Sequence, residues 1–187
     1  MMEVDGMNHM TSQVGKGYVH VYTGNGKGKT TAALGLAFRA AGCGLATRIV
    51  QFMKGRHYSE LDVIAKLEGL VTIEQFGHEE FCRISGPPDV RDVEMAVSAL
   101  ERVRGIMQEN TCDILIADEM ITAGLFKLIT QDDILDTIQR KPDGMELILT
   151  GRGASQQIID AADLVTEMRE VKHYYTQGVQ AREGIEY

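Results

Sequence analysis

The sequence predicts an α/β protein, with one mostly parallel sheet and helices on both faces. Two observations carry this. Short apolar runs alternate with helical stretches along the chain, and a glycine-rich loop joins the first run directly to a helix. At 187 residues, with 44% hydrophobic and 25% charged content, the chain suits a single domain with a good core. No linker, repeat or low-complexity segment divides it. The expected organisation is a flexible arm over 1–16 and one domain over 17–187.

Each element follows from local chemistry. Tyr18–Tyr22 alternates as a strand should, and the helix after the glycine loop runs to about Ala41, where Gly42 and Gly44 stop it. Thr47–Phe52 is the second strand. A polar loop follows, and Ser59 can cap a helix reaching Glu68. Val71–Phe76 is the third strand, and its loop runs through Gly77–Pro88 to the breaker Gly86-Pro87-Pro88. Val93, Val97, Leu100, Val103 and Met107 recur at helical spacing, which predicts a helix over 90–109 with that stripe in the core. Ile114–Ala117 is the fourth strand, Thr130 can cap a helix over 132–140, and Glu146–Thr150 is the fifth strand. A helix over 155–161 and a strand over 164–168 follow. His173–Tyr187 reads as turn-rich and polar.

Ligands bind beyond the carboxyl ends of such strands. The loops 23–31, 118–124, 151–153 and 77–88 are therefore expected on one edge. The net charge of −8 argues against a nucleic-acid surface, and no apolar run reaches the length of a membrane span. Residues 1–17 lack the apolar block of a secretory signal. Cys43, Cys82 and Cys112 show no Cys-x-x-Cys or zinc spacing, and they read as small apolar fillers in a reducing, cytoplasmic setting. The five histidines form no ligand cluster.

The richest stretch is 18–31. An alternating strand meets Gly24-Asn25-Gly26-Lys27-Gly28-Lys29-Thr30-Thr31, and a helix starts at once. This is the recipe for holding a polyphosphate: backbone N–H groups and the helix N-terminus face the anion. Lys29 supplies a cation, and the Thr30 hydroxyl can ligate Mg²⁺. The loop is one residue shorter than the common Gly-x-x-x-x-Gly-Lys-Thr, because Thr23 stands where the first glycine would be. The fourth strand delivers Asp118 and Glu119, carboxylates able to hold the same metal. Arg152, between Gly151 and Gly153, is a second candidate cation; a solvated arginine on a surface turn is the plain alternative. Lys54 and Arg56 are similar cases of less weight. The chain offers no clear nucleophile and no obvious general base, which suits chemistry carried by a second bound molecule.

The glycine loop, Val50-Gln51-Phe52-Met53-Lys54-Gly55, Asp118-Glu119, Leu149-Thr150-Gly151-Arg152-Gly153, Asp160-Ala161-Ala162-Asp163, Val171-Lys172-His173 and Gly184-Ile185-Glu186-Tyr187 stand together over residues 17–187. In these segments the chain resembles the P-loop ATP:corrinoid adenosyltransferases, and the short phosphate loop is that family's own version. The resemblance implies a P-loop NTPase-like, RecA-like sheet. It implies transfer of the 5′-deoxyadenosyl group of ATP to Co(I) of a reduced corrinoid, with release of triphosphate, in adenosylcobalamin biosynthesis or salvage. It further implies Mg²⁺ or Mn²⁺, a cytoplasmic homodimer and a flavoprotein reductase as partner.

By the same resemblance, Lys29 and Glu119 are the catalytic pair. Asn25 and Lys27 contact the terminal phosphates, Gly24, Gly26, Gly28 and Thr31 complete the loop, and Thr30 and Glu119 match the metal positions, with Asp118 beside them. The family packs aromatic side chains beneath the corrinoid, often including a tryptophan, and this chain has none. Phe81 is the first candidate for that face and Phe76 the second, with His78 an alternative group under cobalt. Two other function classes stay open on the residues alone. One is a P-loop ATPase or phosphotransferase of another kind; the other is a non-catalytic nucleotide or corrinoid carrier.

Overall fold

A computed structural model describes residues 15–67, 69–78 and 87–187. The arm, apart from Gly15 and Lys16, and the candidate Phe81 lie outside the described residues, as do Cys82, Glu68 and the first residue of the Gly86-Pro87-Pro88 breaker.

Six strands form one parallel sheet. They are β1 (Val19–Thr23), β2 (Thr47–Phe52), β3 (Val71–Phe76), β4 (Ile114–Asp118), β5 (Glu146–Thr150) and β6 (Leu164–Glu167), in the order β3-β2-β4-β5-β1-β6. The central strands are buried on both faces, which is why they read as nearly unbroken apolar runs. Period-two alternation sorts their side chains between two cores. Ile114, Ile116 and Ile148 pack with Ala33, Ala37 and Ala40 of α1 (Lys29–Ala41). Leu115, Ala117, Leu147 and Leu149 face the opposite side, under α3 (Val90–Glu109), α4 (Met120–Leu125), α5 (Gln131–Gln139) and α6 (Gln156–Ala161).

The elements expected from sequence are present, with four differences. The helix after Ser59 is short: α2 (Glu60–Ile64) buries no residue, and the chain passes into i→i+3 turns at Lys66, Leu67 and Leu70. Ser59 makes no cap with its side chain. In α3 the buried stripe runs through Ala96, Ala99, Leu100, Val103, Ile106 and Met107, while Val97 faces outward; small alanines let the helix sit close to the sheet. Third, α4 occupies most of what reads from sequence as the loop 118–124. Its apolar run Met120-Ile121-Thr122-Ala123 is too short for periodicity to reveal and is buried throughout. Lastly, Cys112 is a buried filler whose thiol burial pushes up to about 11, but Cys43 is exposed in the turn after α1 and fills nothing.

Candidate active site

Strands β4, β5 and β1 are neighbours, so the loops leaving their carboxyl ends lie side by side. Together with the β2–α2 loop and the segment 170–187 they enclose a cavity of about 630 Å³. Asn25, Gly26, Lys27, Gly28, Lys29, Thr30, Thr31, Lys54, Glu119 and Arg152 all line it. Gly24 stands at the base of the loop, where Lys29 reaches its carbonyl.

The phosphate loop is built as the sequence implies. Gly28 caps α1 at φ 121°, a left-handed conformation that favours glycine, and it aims the N-terminus of a 13-residue helix at the cavity. Lys29 is buried. Its ammonium donates to the carbonyls of Gly24 at 2.8 Å and Gly26 at 2.9 Å, so its charge is held inside the loop. Burial depresses the Lys29 pKa. Glu119 pulls it back up, Arg152 pushes it further down, and Asp118 again raises it. The amide of Gly26 donates to the Met168 carbonyl at 2.7 Å, which fastens the loop to the chain just beyond β6.

Asp118 and Glu119 are adjacent in sequence and differently placed. Asp118 is 1% exposed and does not line the cavity. Its Oδ1 accepts the hydroxyls of Thr30 (2.9 Å) and Thr150 (2.7 Å), and its Oδ2 accepts Lys54 Nζ (2.8 Å) and Gln51 Nε2 (3.0 Å). Burial would raise its pKa, but the Lys54 charge and hydrogen bond, with those of Thr150 and Thr30, outweigh that and hold it below the usual carboxylate range. Lys54 mirrors this: burial works against its charge, and the Asp118 carboxylate more than compensates. Asp118 therefore fixes the Thr30 hydroxyl. With the Thr30 proton donated inward, its lone pairs remain for the cavity.

Glu119 turns the other way. It takes a left-handed conformation (φ 63°), its amide donates to Thr150 Oγ1 at 2.9 Å, and its carboxylate reaches the cavity wall. Thr122 donates its hydroxyl to Glu119 Oε2 and accepts the amide of Arg152 at 2.8 Å. Among the described residues no three His, Cys, Asp or Glu side chains gather as a metal cage. Thr30 and Glu119 are hard oxygen donors on one cavity. That fits Mg²⁺, which takes few protein ligands and completes its shell from phosphate and water.

The far wall is the C-terminal segment. Lys27 donates to the Ile185 carbonyl at 2.7 Å and lies 3.7 Å from Glu186, while Ser59 donates to the Tyr187 carbonyl at 3.0 Å. Glu186 is held by the Tyr174 hydroxyl and by Arg182, which bring its carboxyl down to about 2. A 3₁₀ turn over Tyr174–Gln177, capped by His173, carries Tyr174. Phe76 ends β3 half-buried against the core under α3, away from this cavity.

Sequence reasoning passed over Gln51, Thr122, Thr150 and the role of this segment as a wall. A glutamine between Val50 and Phe52 in an apolar strand, and a threonine three residues after Glu119, were the available signals.

Comparison with known proteins agrees with the geometry. Residues 15–187 match the family described as ATP:corrinoid adenosyltransferase BtuR/CobO/CobP. The chain is 31% identical over 175 residues to a corrinoid adenosyltransferase of Escherichia coli K12, covering 92% of this chain and 86% of that one. It is 33% identical over 174 residues to a corrinoid adenosyltransferase of a Sinorhizobium species, covering 92% and 81%. In fold it is similar to a KaiC-like protein of Pyrococcus horikoshii, with a TM-score of 0.53 at 16% identity over 84% of this chain and 74% of that one. A phosphate loop, a buried lysine and an outward-turned glutamate on one cavity, within a match reaching from Gly15 to Tyr187, lead to one conclusion: this chain belongs to the ATP:corrinoid adenosyltransferase family.

Proposed function

We propose that the cavity takes ATP with its triphosphate in the loop 24–31, so that C5′ rather than phosphorus is offered to a reduced corrinoid. The protein is an adenosyltransferase that modifies corrinoids with ATP in cobalamin biosynthesis. The observation that carries the finer reading is the convergence of Lys29, Thr30, Glu119 and Arg152 on one cavity.

In this reading the Co(I) electron pair forms the new bond to C5′, the C5′–O bond breaks, and its electrons leave with the triphosphate. Co(I) is itself the nucleophile, so the protein needs none. Its work is to hold the leaving polyanion and to keep C5′ in line. Lys29, the loop amides and the α1 N-terminus stabilise charge that grows on the departing oxygen. Asn25 and Lys27 hold the terminal phosphates; Lys27 exchanges the Ile185 carbonyl for them. Thr30 and Glu119 hold a divalent cation, with Asp118 fixing Thr30 from behind. Bound there, Mg²⁺ neutralises phosphate charge.

The corrinoid side draws on the loop after β3, with Phe81 as its aromatic candidate, since Phe76 is packed against the core under α3. A homodimer, a flavoprotein reductase that supplies Co(I), and a cytoplasmic setting belong to the same reading. Among the described residues no helix is long and apolar enough to cross a membrane.

The test mixes the protein with ATP, Mg²⁺ and chemically reduced corrinoid. The expected result is the adenosylcobalt spectrum with stoichiometric triphosphate. Release of ADP and phosphate without a cobalt–carbon bond would overturn the reading. Lys29→Ala should slow transfer about 10- to 150-fold, the worth of a charged hydrogen bond of roughly 1.5–3 kcal/mol. Sedimentation velocity tests the dimer, which a single monomeric boundary at working concentration would remove.

A further inference from the structure

We infer that Thr122 is a positioning residue for the metal-side carboxylate Glu119, and that it locks Glu119 and the Arg152 loop into one rigid wall of the cavity. The inference rests on the reading above, in which Glu119 holds a divalent cation.

The Thr122 hydroxyl has one proton, and it goes to Glu119 Oε2. Its lone pairs accept the Arg152 amide at 2.8 Å. The side chain is 5% exposed on the buried face of α4, so water offers little substitute for either bond. The fit around it leaves no slack. Gly151 has φ 143°, and a Cβ there would stand 2.4 Å from the Thr122 amide nitrogen and 2.8 Å from its Oγ1. The β5 loop thus lies directly on Thr122, and the next residue is the cavity-lining Arg152. A carboxylate and a guanidinium-bearing loop, 33 residues apart in sequence by their numbers 119 and 152, are joined through one hydroxyl.

Glu119 needs such an anchor. Its backbone is left-handed, a conformation uncommon outside glycine, asparagine and aspartate. The amide is fixed by Thr150 Oγ1. That bond sets the backbone and leaves the side-chain torsions to Thr122. With the hydroxyl donated to Oε2, the carboxylate is held at the cavity that Glu119 lines. Outer partners of metal ligands typically tune affinity by about 10- to 100-fold.

The experiment measures ATP affinity by calorimetry twice for each variant, in EDTA and in saturating Mg²⁺. The ratio of the two is the gain that the metal brings. Thr122→Val, which keeps shape and removes the hydroxyl, should lower this gain about tenfold or more, with a smaller loss in EDTA, where the phosphate loop still acts. Thr122→Ser should restore the gain. Glu119→Gln should lose it, and Thr122→Val with Glu119→Gln should lose no more than Glu119→Gln alone. Should the valine variant not fold, as judged by its melting transition, Thr122→Ala enters the same comparison.

The outcomes separate the two ideas. If Glu119→Gln keeps the full gain, the reading of Glu119 as metal holder fails. If Glu119→Gln loses the gain while Thr122→Val or Thr122→Ala keeps it, the inference about Thr122 is overturned and the reading of Glu119 stands. A double variant that loses more gain than Glu119→Gln alone also overturns it, because Thr122 would then act through another group.

Discussion

At the scale of single residues, charge is handled in two contrasting ways within a few ångströms. Asp118 is sealed and saturated by four donors, and Glu119 is turned outward with one anchor. The Lys54–Asp118 pair at 2.8 Å is the most buried ion pair around the site, with side chains 14% and 1% exposed. Removing one partner strands the other. Lys54→Met should therefore cost about 3–5 kcal/mol of unfolding free energy. Adding Asp118→Asn to that variant should return part of the loss, because no unpaired charge remains. Urea titration of the two variants against the parent checks both statements, and equal losses would show that Lys54 acts by packing alone. Lys29, Thr30 and Glu119 are legible in the sequence because loop spacing and strand ends mark them. Gln51 and Thr150 are not, and Lys54 reads only as a lesser candidate cation, because what makes all three matter is a shared partner far along the chain.

At the scale of elements, α5 shows how a side-chain cap fixes a short helix, whereas α4 is held by burial without one. In α5 the Thr130 hydroxyl receives the Asp133 amide while the Asp133 carboxylate receives the Thr130 amide and hydroxyl. Arg104 of α3 also reaches Asp133, at 3.1 Å. Burial works against the Asp133 charge, but the Thr130 bonds and Arg104 outweigh it and depress the carboxyl pKa. The sign follows. A depressed folded pKa contributes stability that is present above the unfolded value of about 3.9 and lost as pH falls through the folded value. Asp133→Asn should therefore be less stable than the parent near neutrality, and the gap should close in acid; a gap independent of pH would contradict this. Thr130→Ala should cost about 1 kcal/mol by the same unfolding measurement. The Thr130 cap was readable from sequence. The failed Ser59 cap was not: its hydroxyl is spent on the Tyr187 carbonyl, a partner 128 positions away.

At the scale of the whole molecule, alternation of apolar runs was enough to foretell a parallel sheet with two helical layers. It could not give the order β3-β2-β4-β5-β1-β6, because strand neighbours in a parallel sheet are chosen by crossovers and not by local pattern. The same limit hid the closure of 170–187 over the cavity, which reads in sequence only as polar turns. If Lys27 exchanges the Ile185 carbonyl for phosphate, hydrogen exchange at residues 184–187 should rise when ATP binds. Unchanged protection would mean that nucleotide and segment share the site without trading contacts.

The strand order has a consequence for how the protein comes into being. β1 pairs only with β5 and β6, both made long after it. β1 therefore stays unpaired until the sheet's last members arrive, although α1 can already pack on β2 and β4 and Thr30 can already reach Asp118. The phosphate loop's final brace, the carbonyl of Met168, comes later still. If the loop needs β1 in place to hold its shape, nascent chains stalled before β5 should hold no ATP. Such distant pairing slows folding. The part of the chain most easily recognised by eye is thus among the last to acquire its working shape.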